Sequence, residues 1–266
     1  MSSLTAWIDG VGLLGPGLAD WPEAAAVLAG RAPWRAQPTV LRPLECLPPA
    51  ERRRTGQVVR LALGVGLEAL ARAGVDASTL ATVFSSSGGD GENCHSICEV
   101  LASEDRQISP TRFHNSVHNA AAGYWGIATG ATAPSNALCA FDGSFAEGML
   151  EALTQVAIDE TAVLLIAYDA AYPEPMRSVR PIPDAFGVAL LVSPTARSGS
   201  LARITAALAA TPAERLADAG LEALRGAIPA ARSLPLLRRL ARGEPGAVVI
   251  DYLENLSLAL EVAQCP

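Results

Sequence analysis

Apolar positions along this chain recur at two spacings, and the two predict different elements. Phe186, Val188, Leu190 and Val192 alternate with smaller neighbours, and Leu256, Leu258, Leu260 and Val262 alternate with Ser257, Ala259, Glu261 and Ala263. Strict alternation places one face of the backbone inward, so strands are expected over 184–193 and 257–262. Apolar runs of strand length at 7–14, 80–86, 162–168, 202–208 and 247–252 add further strands. Helical spacing of Val58, Leu61, Leu63, Val65, Leu67 and Leu70 predicts one long helix over 50–73, stopped by Gly74. Shorter helices are expected over 21–28, 90–101, 116–127, 213–225 and 234–242. The proline-bearing segments 31–49 and 169–183, together with 110–115, read as loops. Strands alternating with helices over most of the length predict a layered α/β fold without internal repeats.

One stretch organises the rest. Ala133-Pro-Ser-Asn-Ala-Leu-Cys-Ala-Phe-Asp-Gly-Ser-Phe-Ala-Glu-Gly148 begins as a short strand, turns over 138–142 and continues as a helix to about 158. A side chain at such an elbow faces the first unpaired amides of the helix, where a thiolate or a developing oxyanion is stabilised. Small residues crowd the turn (Ala137, Ala140, Gly143, Ala146, Gly148), as close backbone packing requires. A nucleophile of this chain would sit there.

Composition narrows the function. The chain has 266 residues, half of them apolar and 18% charged, which is enough for a substantial core. All twenty basic residues are arginine, and the net charge is −7. That balance argues against nucleic acid or an anionic membrane as partner, while leaving a local arginine patch open to an acidic protein. No basic segment followed by an apolar run marks the N-terminus, and the longest apolar runs are too short to span a bilayer. Five cysteines at irregular spacing fit reduced thiols. A cytoplasmic protein without membrane insertion is expected.

The elbow resembles the nucleophile elbow of β-ketoacyl synthases, which reads Thr-Ala-Cys-Ser/Thr-Ser-Gly. Aligning its glycine with Gly143 puts Ala140 at the catalytic cysteine and leaves Cys139 one residue early. The resemblance continues in chain order. Asp9-Gly-Val-Gly-Leu-Leu-Gly-Pro16 with Val27-Leu-Ala-Gly-Arg31 resembles the family's opening strand, turn and helix. Ser85–Gly89 resembles a small-residue turn, Asn119-Ala-Ala-Ala-Gly123 an Asn-x-x-Ala-Gly helix, and Arg180-Pro-Ile-Pro-Asp-Ala-Phe-Gly187 an Arg-Pro-Phe-Asp…Gly segment. Family members carry a second thiolase-like half whose histidines stabilise the oxyanion and promote decarboxylation. Here all three histidines (His95, His114, His118) precede residue 119, so no Cys-His-His set can be assembled.

The resemblance therefore implies a thiolase-like α/β fold: a ketosynthase-like N-terminal half over 1–195 with a mostly five-stranded sheet, and a short extension over 196–266. It implies a non-catalytic subunit similar to the chain-length factors of aryl polyene and xanthomonadin-type pathways. Such a subunit pairs with a full-length ketosynthase, meets acyl carrier protein through the complex, and shapes the acyl tunnel. No catalytic residue, metal or other cofactor is expected. Phe113, His114, His118, Asn119, Phe141 and Phe145 are the tunnel or interface candidates. A half of this kind buries its elbow helix poorly, which itself points to a partner.

Other readings are weaker. A stand-alone acyltransferase or thioesterase using Cys139 needs a base and an oxyanion hole. Small buried cysteine is the plainer reading of Cys139, and core or interface thiols that of Cys94 and Cys98. A scaffold without a tunnel is the third.

Overall fold

The computed structural model describes residues 3–265, and a single eight-stranded sheet runs through it in the order β3-β2-β4-β5-β1-β6-β8-β7. β1 (Leu4–Leu14) leads through a tight turn into α1 (Trp21–Leu28). Asp20 caps that helix by accepting from the Glu23 amide at 3.0 Å, with Pro22 in the first turn. An arm follows, pinned by the Thr39 amide donating to Asp184 and the Thr39 hydroxyl donating to the Ala185 carbonyl. The single helix expected over 50–73 is two. α2 (Pro49–Arg52) and α3 (Gln57–Ala73) are separated where Gly56 takes an extended conformation as N-cap of α3.

β2 (Ala81–Ser85), β3 (Ser135–Leu138) and β4 (Val163–Asp169) are parallel, with β2 in the middle. Between β2 and β3 lie α4 (Gly91–Ala102), α5 (Pro110–His114) and α6 (Ala120–Thr129). The expected loop at 110–115 is thus mostly a helical turn with Pro110 at its start. The helix expected from 116 begins at Ala120, after a turn in which the Ser116 hydroxyl donates to the Phe113 carbonyl. α7 (Ser144–Asp159) is the elbow helix, and α8 (Met176–Val179) is a single turn within the loop before β5 (Phe186–Ser193). β5 runs antiparallel to both β4 and β1.

The sheet does not stop at five strands. β6 (Ala202–Ala209) pairs with the free edge of β1, β8 (Leu256–Gln264) with β6, and β7 (Gly246–Leu253) with β8, all antiparallel. Between β6 and β7 lie α9 (Ala219–Ala227) and α10 (Leu234–Arg242). The helix expected from residue 213 begins only at Ala219, where Asp218 accepts from the Gly220 and Leu221 amides. Upstream of it the Glu214 amide donates to the Val249 carbonyl, which keeps that stretch extended along β7.

The two faces of the sheet carry separate cores. α3 and α6 cover one face with Leu61, Val65, Tyr124 and Trp125 against Phe84, Leu164 and Ile166. α3 lies so close to β1 that a Cβ at Gly10 would sit 2.3 Å from the Ala69 carbonyl oxygen, and one at Gly12 1.9 Å from that of Val65. α7 covers the other face, where β7 and the turn at Pro229–Ser233 reach it. Phe145, Met149 and Leu153 therefore share one core with Val248, Ile250, Leu258 and Leu260. The elbow helix is consequently well buried by its own chain, contrary to the sequence expectation: eight of its residues, from Ser144 to Val156, are buried.

Candidate functional site

The elbow lies where β3 ends and α7 begins. Ala140 has φ −134° and ψ 42°, and Phe141 takes φ +50°, a left-handed conformation that costs a bulky side chain energy. Ser144 holds the turn. Its hydroxyl accepts from the Ala140 amide at 3.1 Å and donates to the Phe141 carbonyl at 2.7 Å. The Gly143 amide closes the turn on the Ala140 carbonyl at 2.8 Å. A Cβ on Gly143 would lie 2.5 Å from the Tyr252 carbonyl oxygen, so only glycine lets β7 come this near.

Ala140 presents a methyl group. Cys139 is exposed rather than buried, and its thiol donates to the Ser87 carbonyl at 3.3 Å. The imidazole of His118 meets the Leu138 carbonyl through Nε2 at 3.0 Å, so that nitrogen carries the proton. Its ring packs against Gly89, whose Cβ would lie 3.2 Å from Nδ1. His118 and Cys139 thus flank the same strand end, and no hydrogen bond joins them. Among the described residues, no group of three or more His, Cys, Asp or Glu converges as metal ligands do.

An ionic lock surrounds the turn. Arg180 donates to Asp142 at 2.7 Å and places its guanidinium 3.9 Å from the centroid of the Phe141 ring; Arg232 reaches the other Asp142 oxygen at 3.3 Å. These groups and β7 frame a cleft of about 400 Å³ between the elbow and the β7–β8 turn, bounded by Phe141, Asp142, Arg232, Asp251 and Tyr252. The Tyr252 hydroxyl donates to Glu147 on α7. Loss of water on burial, and then the bond to Glu147, push that phenol up to about 12.

Behind the elbow sits Asp169, at the end of β4 and out of contact with water. One oxygen accepts from the amide and hydroxyl of Ser87 at 2.9 and 2.6 Å, and the other from the Ala230 amide at 2.8 Å. Burial pushes its carboxyl up to about 6, against the opposing pull of the Ser87 and Ala230 hydrogen bonds. Asp169 therefore ties the β2 turn to the C-terminal segment. Sequence reading missed it, and missed Arg232. Arg180 stood within a quoted motif, where its partner Asp142 was not apparent.

The other side of the elbow is open. β3 is an edge strand, paired only with β2. Only Gly91 and Asn93 are buried in α4. Exposed apolar side chains stand on the segments between β2 and α7: Leu101 (47% exposed), Phe113 (67%), Val117 (53%), Ile127 (49%) and Phe141 (62%). His114 and Asn119 are also exposed there, as are Cys94 and Cys98, which the sequence reading placed in a core or interface. Phe145, by contrast, is 1% exposed and packs in the core under β7.

Residues 20–246 match the model of the β-ketoacyl synthase N-terminal domain. The chain belongs to that family. Among solved structures, this β-ketoacyl synthase-family chain is similar to one in the complex of the ketosynthase ApeO with its chain length factor ApeC from Xenorhabdus doucetiae. The two are 27% identical, with a TM-score of 0.74, over 97% of this chain and 99% of the other. A chain of the ishigamide ketosynthase/chain length factor matches at 15% identity and TM-score 0.72, over 98% and 100%. The ketosynthase of bacillaene synthase module 1 from Bacillus amyloliquefaciens FZB42 matches at 11% and 0.68, over 98% of this chain and 76% of that longer one. The last two likenesses concern the fold alone. No curated protein matches significantly. No helix among the described residues is long and apolar enough to cross a membrane.

Proposed function

We propose that this chain is a non-catalytic, chain-length-setting subunit that pairs with a full-length ketosynthase. The observation that carries the reading is the elbow: a strand-to-helix turn held by Ser144, with a methyl group at Ala140 and no histidine hydrogen-bonded to Cys139. The similarity to a chain of the ApeO–ApeC complex supports it, because that chain is matched over nearly its whole length. In this reading residues 1–195 form the ketosynthase-like half, and 196–266 take the place of a second half by covering α7.

Decarboxylative condensation of carrier-bound acyl units then belongs to the partner's cysteine. This chain supplies surface. The β3 edge can extend a sheet across an interface, and the exposed apolar side chains around it would lose water on docking. Phe113 and Phe141, with His114, His118 and Asn119 beside them, would bound the growing chain where the subunits meet. Phe145 supports the elbow from the core. Acyl carrier protein reaches the site through the complex, in the cytoplasm.

Reconstitution with the partner ketosynthase and carrier protein tests this. Cys139→Ala should leave condensation intact, while Phe113→Ala and Phe141→Ala should shift the distribution of product lengths. Loss of condensation with Cys139→Ala would transfer the chemistry to this chain and overturn the proposal. Unchanged product lengths in both phenylalanine variants would remove the tunnel-shaping role.

A further inference from the structure

Phe141 is an exposed ring on a strained backbone. Its residue is 62% exposed, and φ of +50° disfavours a bulky side chain. Strain of this kind persists where the surroundings over-determine a residue, and it gathers at functional sites. Solvent determines nothing about a ring, so the neighbours must. The neighbour here is a cation. The Arg180 guanidinium lies over the ring, 3.9 Å from its centroid, and donates to the adjoining Asp142 at 2.7 Å.

Arg180 is itself fixed at both ends. Its amide donates to the Met176 carbonyl at 2.9 Å, and its carbonyl accepts from the amide of Ile182, a core residue, at 2.9 Å. At the side-chain end Asp142 is shared with Arg232 at 3.3 Å, which restrains the carboxylate that Arg180 grips. The Arg180 Nε is buried without a hydrogen-bond partner. An unmet buried donor costs stability, and the fold bears that cost while keeping a cation over an exposed ring. A planar guanidinium can bond a carboxylate and stack on an aromatic face at once, which an ammonium cannot do. The ring so held lines the cleft of about 400 Å³ beside the elbow.

We infer that Arg180 is a positioning residue for product length, acting through Phe141 by holding its ring where the growing chain is bounded. This rests on the reading of Phe141 as a tunnel residue. It adds the group that fixes the ring, and places that group on the loop before β5, outside the elbow.

Product lengths from the complex reconstituted with the partner ketosynthase and carrier protein test it. The variants are Phe141→Ala, Arg180→Met, Arg180→Lys and the double variant Phe141→Ala/Arg180→Met. Phe141→Ala should raise the ratio of longer products to those of wild-type length. Arg180→Met should raise the same ratio about threefold, the population shift that one cation–π contact governs, with affinity for the ketosynthase unchanged. Arg180→Lys keeps a cation without the planar stack and should fall between Arg180→Met and wild type. In the Phe141→Ala background, Arg180→Met should add nothing, because the ring through which it acts is gone. A merely structural role for Arg180 would persist without the ring. Unchanged lengths in Phe141→Ala would overturn this inference, while Phe113→Ala still tests the tunnel reading by itself. A shift in Phe141→Ala with none in Arg180→Met would overturn this inference alone. So would an equal effect of Arg180→Met with and without the ring, or loss of ketosynthase binding in both Arg180 variants.

Discussion

The two sides of the elbow differ in what covers them. On the cleft side the chain covers itself. β7 presses on Gly143, Tyr252 bonds Glu147, and Asp142 is held between Arg180 and Arg232. On the β3 side no strand among the described residues pairs with the outer edge, and Phe113, Val117 and Ile127 are exposed. Most polar groups on the closed side find partners within the chain, whereas Phe113, Val117 and Ile127 on the open side remain exposed. The closed side accordingly governs stability, and the open side is where the proposed partner would act. Variants on each side should separate those two roles.

The largest effect is expected at Asp169, the buried tie of the closed side. Folding lifts its carboxyl from an ordinary 3.8 to about 6. Between those values the native state holds more proton than the unfolded chain, so stability falls as pH rises through the window, by roughly 3 kcal/mol in all. Asp169→Ala leaves the Ser87 and Ala230 donors without an acceptor and should cost about 3 kcal/mol at pH 5. That penalty should shrink toward pH 8, where the wild type bears the cost of an ionised buried carboxylate. Urea unfolding of both proteins at the two pH values measures the difference, and a penalty that grows with pH would contradict the burial argument.

Next comes Phe113 on the open side. Phe113→Asp should weaken association with the partner ketosynthase at least tenfold, about 1.4 kcal/mol, as loss of an aromatic anchor does. The isolated chain should change by no more than about 0.5 kcal/mol, as exposed substitutions do. Surface-plasmon binding and thermal melts read the two quantities. A melting point that falls along with the affinity would erase the division between the two sides.

A smaller effect is expected where the sides meet. Arg180→Met removes the bond to Asp142 and the cation resting on Phe141, and should cost about 1 kcal/mol in the isolated chain. It should also free the Phe141 ring, which NMR of a fluorophenylalanine label would report as line narrowing. The smallest effect is at Cys139. Its one weak thiol hydrogen bond predicts that Cys139→Ala changes stability by less than about 0.5 kcal/mol.

Local features were the most legible in sequence. The helices expected over 21–28 and 234–242 have those limits, because Asp20 with Pro22 starts the first and Gly243, in a left-handed conformation, stops the second. The split at Gly56 was legible and was passed over: residues 51–57 carry no apolar side chain, and the apolar spacing begins only at Val58. Burial of α7 escaped for another reason. It depends on β7, about a hundred residues away in sequence, being held against the helix by pairing through β8 to β6. That Ala140 stands at the turn was visible in the spacing from Gly143. The ionic lock was not, since Asp142, Arg180 and Arg232 meet only in the folded chain. Phe145 shows the same limit from the opposite direction: its proximity to the elbow in sequence says nothing of the face of α7 it occupies, and that face is the core.

The most direct test of the central claim is native mass spectrometry of the assembly recovered through a tag on this chain from its own host. The account predicts a one-to-one complex with a full-length ketosynthase that carries its own elbow cysteine. A monomer or homodimer without a ketosynthase would contradict it.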